Sequence, residues 1–339
     1  MRKNQRYVIA ISILIVLSVS VVAQEQSPEA QDRIITIDWS GGTQKSPDLR
    51  YGPIEFNHEQ PEGIVGTVDN ITIFSQNARL AAPDKTLIAE SQGKRTATFY
   101  LGVRLIRGRL EAVGPRIEYS EQTGSGVLSG GAHILIKPLQ EEDEKITIST
   151  TLVEFDVDTD RSFSSGGVEL INGNQTANSQ ELLFADEQGL GHLTGIPQPK
   201  IHRFAENGDE LLIIADEIRI LTNLKLLHAI GTVTVVEGSI TTHGKEVFFD
   251  DSLQIAEVIG DPAVAVDEAN GLRLEADRIR QDIQFDFVEQ ILATDPNMFD
   301  PKLFLFWEKS GGINEEAYSI PVNPDESQTG NQVEENTGD

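Results

Sequence analysis

The chain has 339 residues, no cysteine, 54 acidic against 27 basic side chains, and a formal charge of -27. The missing cysteine excludes disulfide frameworks, thiolate nucleophiles, thiolate metal sites and a lipidated N-terminal cysteine. The charge repels a phosphate backbone and sets nucleic acid aside as a partner, while the length suits one large all-β domain or two smaller ones.

In chain order, Arg2, Lys3 and Arg6 precede an apolar run over residues 8–22, and Val21, Val22 and Ala23 supply small residues for cleavage. Residues 1–23 read as a secretory signal, with an uncleaved anchor over residues 8–23 as the alternative. Either way the body is exported. Residues 24–33 are polar and unpatterned, a linker. The fold is expected over residues 34–300, opening with strand-like runs at Ile34, Ile35, Ile37 and Trp39 and again at residues 51–56.

From Gly66 a repeat takes hold. Glycines at 66, 102, 131, 167, 195, 231 and 260 are separated alternately by long intervals of 36 residues and short ones of 28 or 29. Val103, Val168 and Val233 fall in step, as do Ala112, Ala177 and Thr242, then Ile117, Leu182 and Val247, then Tyr119, Phe184 and Phe249. Such a period marks units that bury their apolar face only by stacking on neighbours. Val, Ile, Thr and Phe alternate with period two, so the units are strands. Seven units plus the irregular start predict about eight rungs and, at about 4.8 Å per strand, a body on the order of 40 Å long.

Within the short units one parity collects Val103, Leu105, Ile117, Tyr119, Val168, Leu170, Leu182, Phe184, Val233, Val235, Val247 and Phe249. These twelve form either a filled core or the lining of a gap that holds acyl chains at about 0.8 kcal/mol per buried methylene. Residues 301–309 hold a concentrated apolar patch, Leu303, Phe304, Leu305, Phe306 and Trp307, expected to cap the stack. Residues 310–339 carry seven acids and no Lys or Arg, the composition of a disordered tail.

Signals for catalysis are weak. No two of His58, His133, His192, His202, His228 and His243 stand at metal-ligand spacing, and they read as scattered surface residues. Asp156, Asp158 and Asp160 resemble the start of a calcium loop, but Arg161 and Gly167 stand where its glycine and glutamate belong, so a hairpin turn is expected. Gly124-x-Gly126 and Gly189-x-Gly191 precede strands rather than helices and read as turns. No cofactor and no enzymatic activity are expected.

One resemblance gathers these features. Gly167-Val168-Glu169-Leu170, Ala177-Asn178, Leu182-Leu183-Phe184, Leu193-Thr194-Gly195-Ile196-Pro197, Ala215-Asp216 and Ile259-Gly260-Asp261-Pro262 follow the form G-x-V, A-[DN], apolar-x-aromatic, L-x-G-x-P. After a signal peptide, this pattern resembles the OstA-like family of lipopolysaccharide-transport proteins, best over residues 100–295. The resemblance implies an elongated, twisted, semi-open β-jellyroll whose interior passes acyl chains between membranes. It also implies a periplasmic location and partnership with lipopolysaccharide or a related envelope lipid. Inner- and outer-membrane transport components and head-to-tail self-association are implied in the same way. The array is about twice as long as a typical soluble bridge of that family, which fits either two fused halves or a version serving another envelope lipid. The competing expectations are an exported structural or adhesive β-solenoid with a closed core and a carbohydrate-active β-helix with converging carboxylates.

Overall fold

The structure, a computed structural model, describes residues 33–138, 144–204, 210–283, 287–292 and 294–307. The signal or anchor, nearly all of the linker and the acidic tail lie outside the described residues. What is described is almost entirely antiparallel strand, with two short 3-10 turns at Ile88–Glu90 and Pro301–Phe304.

The strands are long and bent in the middle. In Thr96–Arg107, residues 96–100 pair with Asn77–Ala81 on one side, whereas residues 104–107 pair with Ile71–Ser75. One chain pass therefore belongs to two walls. Residues 96–100 lie in wall I and residues 103–107 in wall II. The next pass, Leu110–Ser120, runs back from wall II to wall I. The alternation continues through Ser125–Ile136, Ile146–Asp156, Arg161–Asn172 and Gln175–Ala185. It resumes in Leu226–Glu237, Ile240–Asp250, Ile255–Asp267 and Leu272–Asp282. Where a pass is interrupted at the bend, its halves are separate strands, as in Leu190–Thr194 with Lys200–Phe204 and in Glu210–Ile214 with Glu217–Leu221. The result is an elongated, β-jellyroll-like sheet folded lengthwise on itself, all-β as the alternation predicts.

The bend is built from bulges and glycine. Pairing skips unequal numbers of residues at Tyr100/Val103, Val113/Arg116, Ser165/Val168 and Ile230/Val233. An extra residue on one strand of an antiparallel pair turns that strand sharply. Gly131, Gly167 and Gly231 sit in these bends with φ of +101°, +90° and +100°, a region that a side chain resists. Apart from Gly66, which lies inside the regularly paired strand Ile64–Val68, the glycines that set the sequence period thus mark the crease between the walls, not the ends of rungs.

This placement corrects the predicted size. A stretch from one crease glycine to the next holds half a pass, a whole pass and another half, which makes two passes. Counting the described pairings gives fifteen bent passes plus the final half-pass Phe287–Gln290. The array is therefore about 70 Å long at about 4.8 Å per strand, rather than 40 Å. The long and short intervals also acquire a cause. Arg107 pairs with Leu110 across the two-residue turn 108–109, whereas residues 137–145 connect the next two strands at the same edge. Gly108, Gly173 and Gly238 stand first in equivalent two-residue turns with φ of +55°, +58° and +52°, the position that a II′ hairpin reserves for glycine.

The two walls face each other and enclose one apolar core, running from Ile35 to Ile283. Residues 303–307 do not cap an end of the stack. The segment from Asp295 to Trp307 lies as a strap across the outer face of wall I. Arg278, paired with the buried Glu257, donates to the carbonyls of Asp295 and Pro296. Phe299 meets Phe248 edge-on at 5.2 Å, and Phe304 packs beside His228 at 5.4 Å and against Leu190 and Leu221. Gln188 donates to the Leu305 carbonyl at 2.6 Å and accepts from the Trp307 amide at 3.2 Å. An aromatic patch on the outside of one wall, rather than an unpaired end strand, is what this segment covers.

Candidate functional site

All twelve inward-parity residues lie in the seam between the walls, and none is more than 4 % exposed. Val103, Leu105, Val168, Leu170, Val233 and Val235 come from wall II, and Ile117, Tyr119, Leu182, Phe184, Val247 and Phe249 from wall I. Their side chains pack as part of the single core cluster. Phe249 also borders a cavity.

That cavity is about 570 Å³ and opens between the edges of the two walls. Ile136, Ile146, Ile201, Leu211 and Ile213 of wall II face Ile220, Leu227 and Phe249 of wall I across it, and supply an apolar floor. Its rim is polar, with Arg109, Lys137, Arg203 and Lys225 as cations and Glu144 and Asp251 as carboxylates. An apolar floor beneath a few charged groups is the lining expected of a small-molecule site rather than of a packing defect.

On either side of the cavity, arginines of wall II reach across the mouth to loops of wall I. Arg107 is 6 % exposed and donates to the carbonyls of Asp156, Thr159 and Asp160. Burial pulls its pKa down, opposed by the charges of Asp160, Asp186 and Asp156. Arg109 donates to Asp186 Oδ1 at 2.9 Å and to the Lys137 carbonyl. Arg203 forms an ion pair with Asp251 that lacks hydrogen-bond alignment at Nε. Residues 156–160 do form the expected turn, and its acids are held by Arg33 and approached by Arg107. Among the described residues no cluster of three or more His, Asp or Glu is placed to hold a metal ion.

The seam is not apolar throughout. Towards its C-terminal end, Thr242 donates to Gln281 Oε1 at 3.0 Å and the Gln281 amide donates to Glu237 at 2.9 Å, all three groups being buried. Each sits in register with apolar inward positions of its own strand, Glu237 following Val233 and Val235. The group is a polar inclusion beside the apolar cluster, which continues to Ile279 and Ile283.

The histidines correct one expectation. His228 is 4 % exposed, stacked on Phe248 at 4.6 Å and bonded to Glu246 at 2.7 Å, so it belongs to the patch beneath the strap. Sequence reasoning also missed Arg107, Arg109 and Arg203. The available signal was a pair of arginines flanking the turn glycine Gly108 in a strongly acidic chain; nothing local sets Arg203 opposite Asp251. Gly124 and Gly189 do lie in turns, with φ of +75° and +65°, and Gly126 lies directly under the Phe155 ring.

No protein-family profile and no curated protein sequence matches the chain. Among solved structures the chain is similar to the crystal structure of LptH, the LptA-homologous periplasmic component of the lipopolysaccharide transport device from Pseudomonas aeruginosa. The identity is 14 % and the TM-score 0.32, over 34 % of this chain and 82 % of that one. The architecture described above rests on the strand pairing itself. No described helix is long and apolar enough to cross a membrane.

Proposed function

We propose that this protein is a non-enzymatic lipid carrier that shelters acyl chain between its two walls and exchanges it sideways, through the cavity at their edges. The observation that carries this reading is the 570 Å³ cavity itself, whose floor continues into the apolar core and whose rim is charged. Each methylene moved from water onto such a floor contributes about 0.8 kcal/mol. The buried Glu237–Gln281–Thr242 group favours lateral exchange over passage through the C-terminal end, because an acyl chain cannot satisfy those polar atoms.

The finer assignment follows the OstA-like sequence pattern. The cargo is lipopolysaccharide or a related envelope lipid, the location periplasmic, and the partners are inner- and outer-membrane transport components, with end-to-end association of copies. The twelve seam residues are the lipid-facing path when the walls part. A second reading, an exported structural β-solenoid, is favoured by the near-complete burial of those same twelve.

Photo-crosslinking amino acids at Phe249 and Phe184 separate the two readings. Lipid labelling at Phe249 alone confines cargo to the cavity, and labelling at both makes the seam a conduit. Lipid-free protein in detergent-free mass spectrometry, with labelling at neither position, leaves the structural solenoid.

A further inference from the structure

We infer that the strap, residues 295–307, is a back gate of the cavity: docked, it holds the wall I floor inward, and released, it lets that floor move out to admit an acyl chain. This rests on the reading of the cavity as a lipid site.

A strand presents alternate residues to its two faces, so what packs outside wall I stands one residue away from what lines the cavity inside. The register turns that relation into rows. Gly191, Ile220, Leu227 and Phe249 are paired in turn across four neighbouring strands, and the last three line the cavity. His192, Arg219, His228 and Phe248 form the adjoining row across the same strands, on the outer face. Three strap aromatics sit on that outer row. Phe306 is 6.5 Å from His192, Phe304 5.4 Å from His228 and Phe299 5.2 Å from Phe248, ring to ring. Strap and cavity floor are thus the two sides of a single sheet.

Two of those strands are short. Leu190–Thr194 and Glu217–Leu221 have five residues each and pair with one another at four positions. The flanking passes Gln175–Ala185 and Leu226–Glu237 have 11 and 12 residues. Each short arm leads into wall II through residues 195–199 or 215–216 rather than as an unbroken strand, so both are able to shift outward while keeping their ladder bonds.

The docked strap opposes that shift. Outward movement of Leu227 and Phe249 drives His228 and Phe248 against Phe304 and Phe299. Phe304 is 1 % exposed, and close-packed layers yield by separating rather than by compressing. The strap is fixed at its start, where Arg278 donates to the Asp295 and Pro296 carbonyls. Its far end is the releasable one: Arg161 donates to the Trp307 carbonyl and stands over the Phe306 ring at 5.2 Å, at the protein surface. A chain that binds better with the strap released must, by linkage, loosen the strap when it binds.

The test is stopped-flow binding of cis-parinaric acid and, in parallel, of fluorescently labelled lipid A to the intact protein. Phe304→Ala is expected to speed probe association about tenfold and to tighten apparent affinity by a similar factor, with dissociation unchanged. The opposite arm fastens the strap. Arg161→Cys/Trp307→Cys, in a chain with no other cysteine, is joined by a short bis-maleimide and should associate more slowly than the same protein before joining. In the parent protein, saturating probe should raise amide exchange across residues 299–307. Unchanged or slower association in Phe304→Ala, no slowing on joining, or a strap that exchanges more slowly with probe bound overturns the inference and leaves the carrier reading standing. Binding of neither probe sinks that reading, and this inference with it.

Discussion

Arg203, near the end of the strand Lys200–Phe204 in wall II, pairs with Asp251, just beyond the strand Ile240–Asp250 in wall I, across the mouth of the cavity. The two side chains are 11 % and 16 % exposed, so the pair is screened far less than one at the surface.

That pair is expected to act as a latch. Arg203→Ala and Asp251→Asn should each destabilise the protein, with a coupling between them of about 1–3 kcal/mol. A double-mutant cycle in urea measures it. Both variants should also release bound amphiphile faster, read by stopped-flow displacement. Additive effects with unchanged release would separate the pair from the mouth.

Gly167 is the cleanest place to test the crease. Its φ is +90° and no atom lies within 4 Å of the position a Cβ would take, so Gly167→Ala introduces strain without a clash. The expected cost is about 1–2 kcal/mol, seen as a lower urea midpoint at unchanged slope. Equal stability of the variant would show that the bend does not depend on glycine there.

The strap is expected to loosen in acid. Burial, and then the charge of Arg219, hold the pKa of His192 below its ordinary value, against the opposing pull of Glu217. Its ring lies 6.5 Å from that of Phe306. A depressed histidine favours the neutral form, so this contribution is complete above the unfolded value near 6.5 and is lost as pH falls through the lower folded value. Amide exchange at Leu305 and Trp307, corrected for intrinsic rate, should rise on acidification. His192→Gln should flatten that rise, and an unaltered pH profile in the variant would assign it elsewhere.

Phe304 is expected to anchor the strap. It is 1 % exposed against Leu190 and Leu221, and Phe304→Ala should cost about 3–5 kcal/mol of local stability. Protease cleavage within residues 297–307 should accelerate while the strands stay protected. Uniform loss of protection would make the strap inseparable from the fold.

Gln281→Leu should cost about 1–3 kcal/mol, because Glu237 loses an amide donor and Thr242 an acceptor inside the seam. Thermal melting reads this, and a stabilised variant would show that the polar group is dispensable.

Much of the fold was legible because strands repeat their inward residues, and the crease explains what was not. In Leu110–Ser120 the buried positions are Leu110 and Ala112 before the bend and Ile117 and Tyr119 after it. The bulge moves the apolar set from even to odd numbers, so one bent strand reads as two short ones with a glycine boundary between them. Rung count and length went wrong for that reason. The twelve seam residues were readable because each wall keeps its own alternation. The cavity was not readable, since its two edges are brought together by folding alone, and Ile213 and Phe249 have no spacing that announces a shared space. The strap was visible only as an apolar cluster, because its partners Leu190, His228 and Phe248 are distant in sequence and look like ordinary strand residues.

The crease also divides the consequences of insertion and deletion. A one-residue slip in a flat strand turns its whole buried set outward. Here Phe99 and Ile117 face the core from wall I and Val103 and Ala112 from wall II, and the bend shifts the buried parity in Leu110–Ser120 while leaving it unchanged in Thr96–Arg107. An indel confined to one arm of a pass scrambles that arm alone, and a compensating change at the bend restores it. The two walls can diverge in sequence independently while sharing every strand.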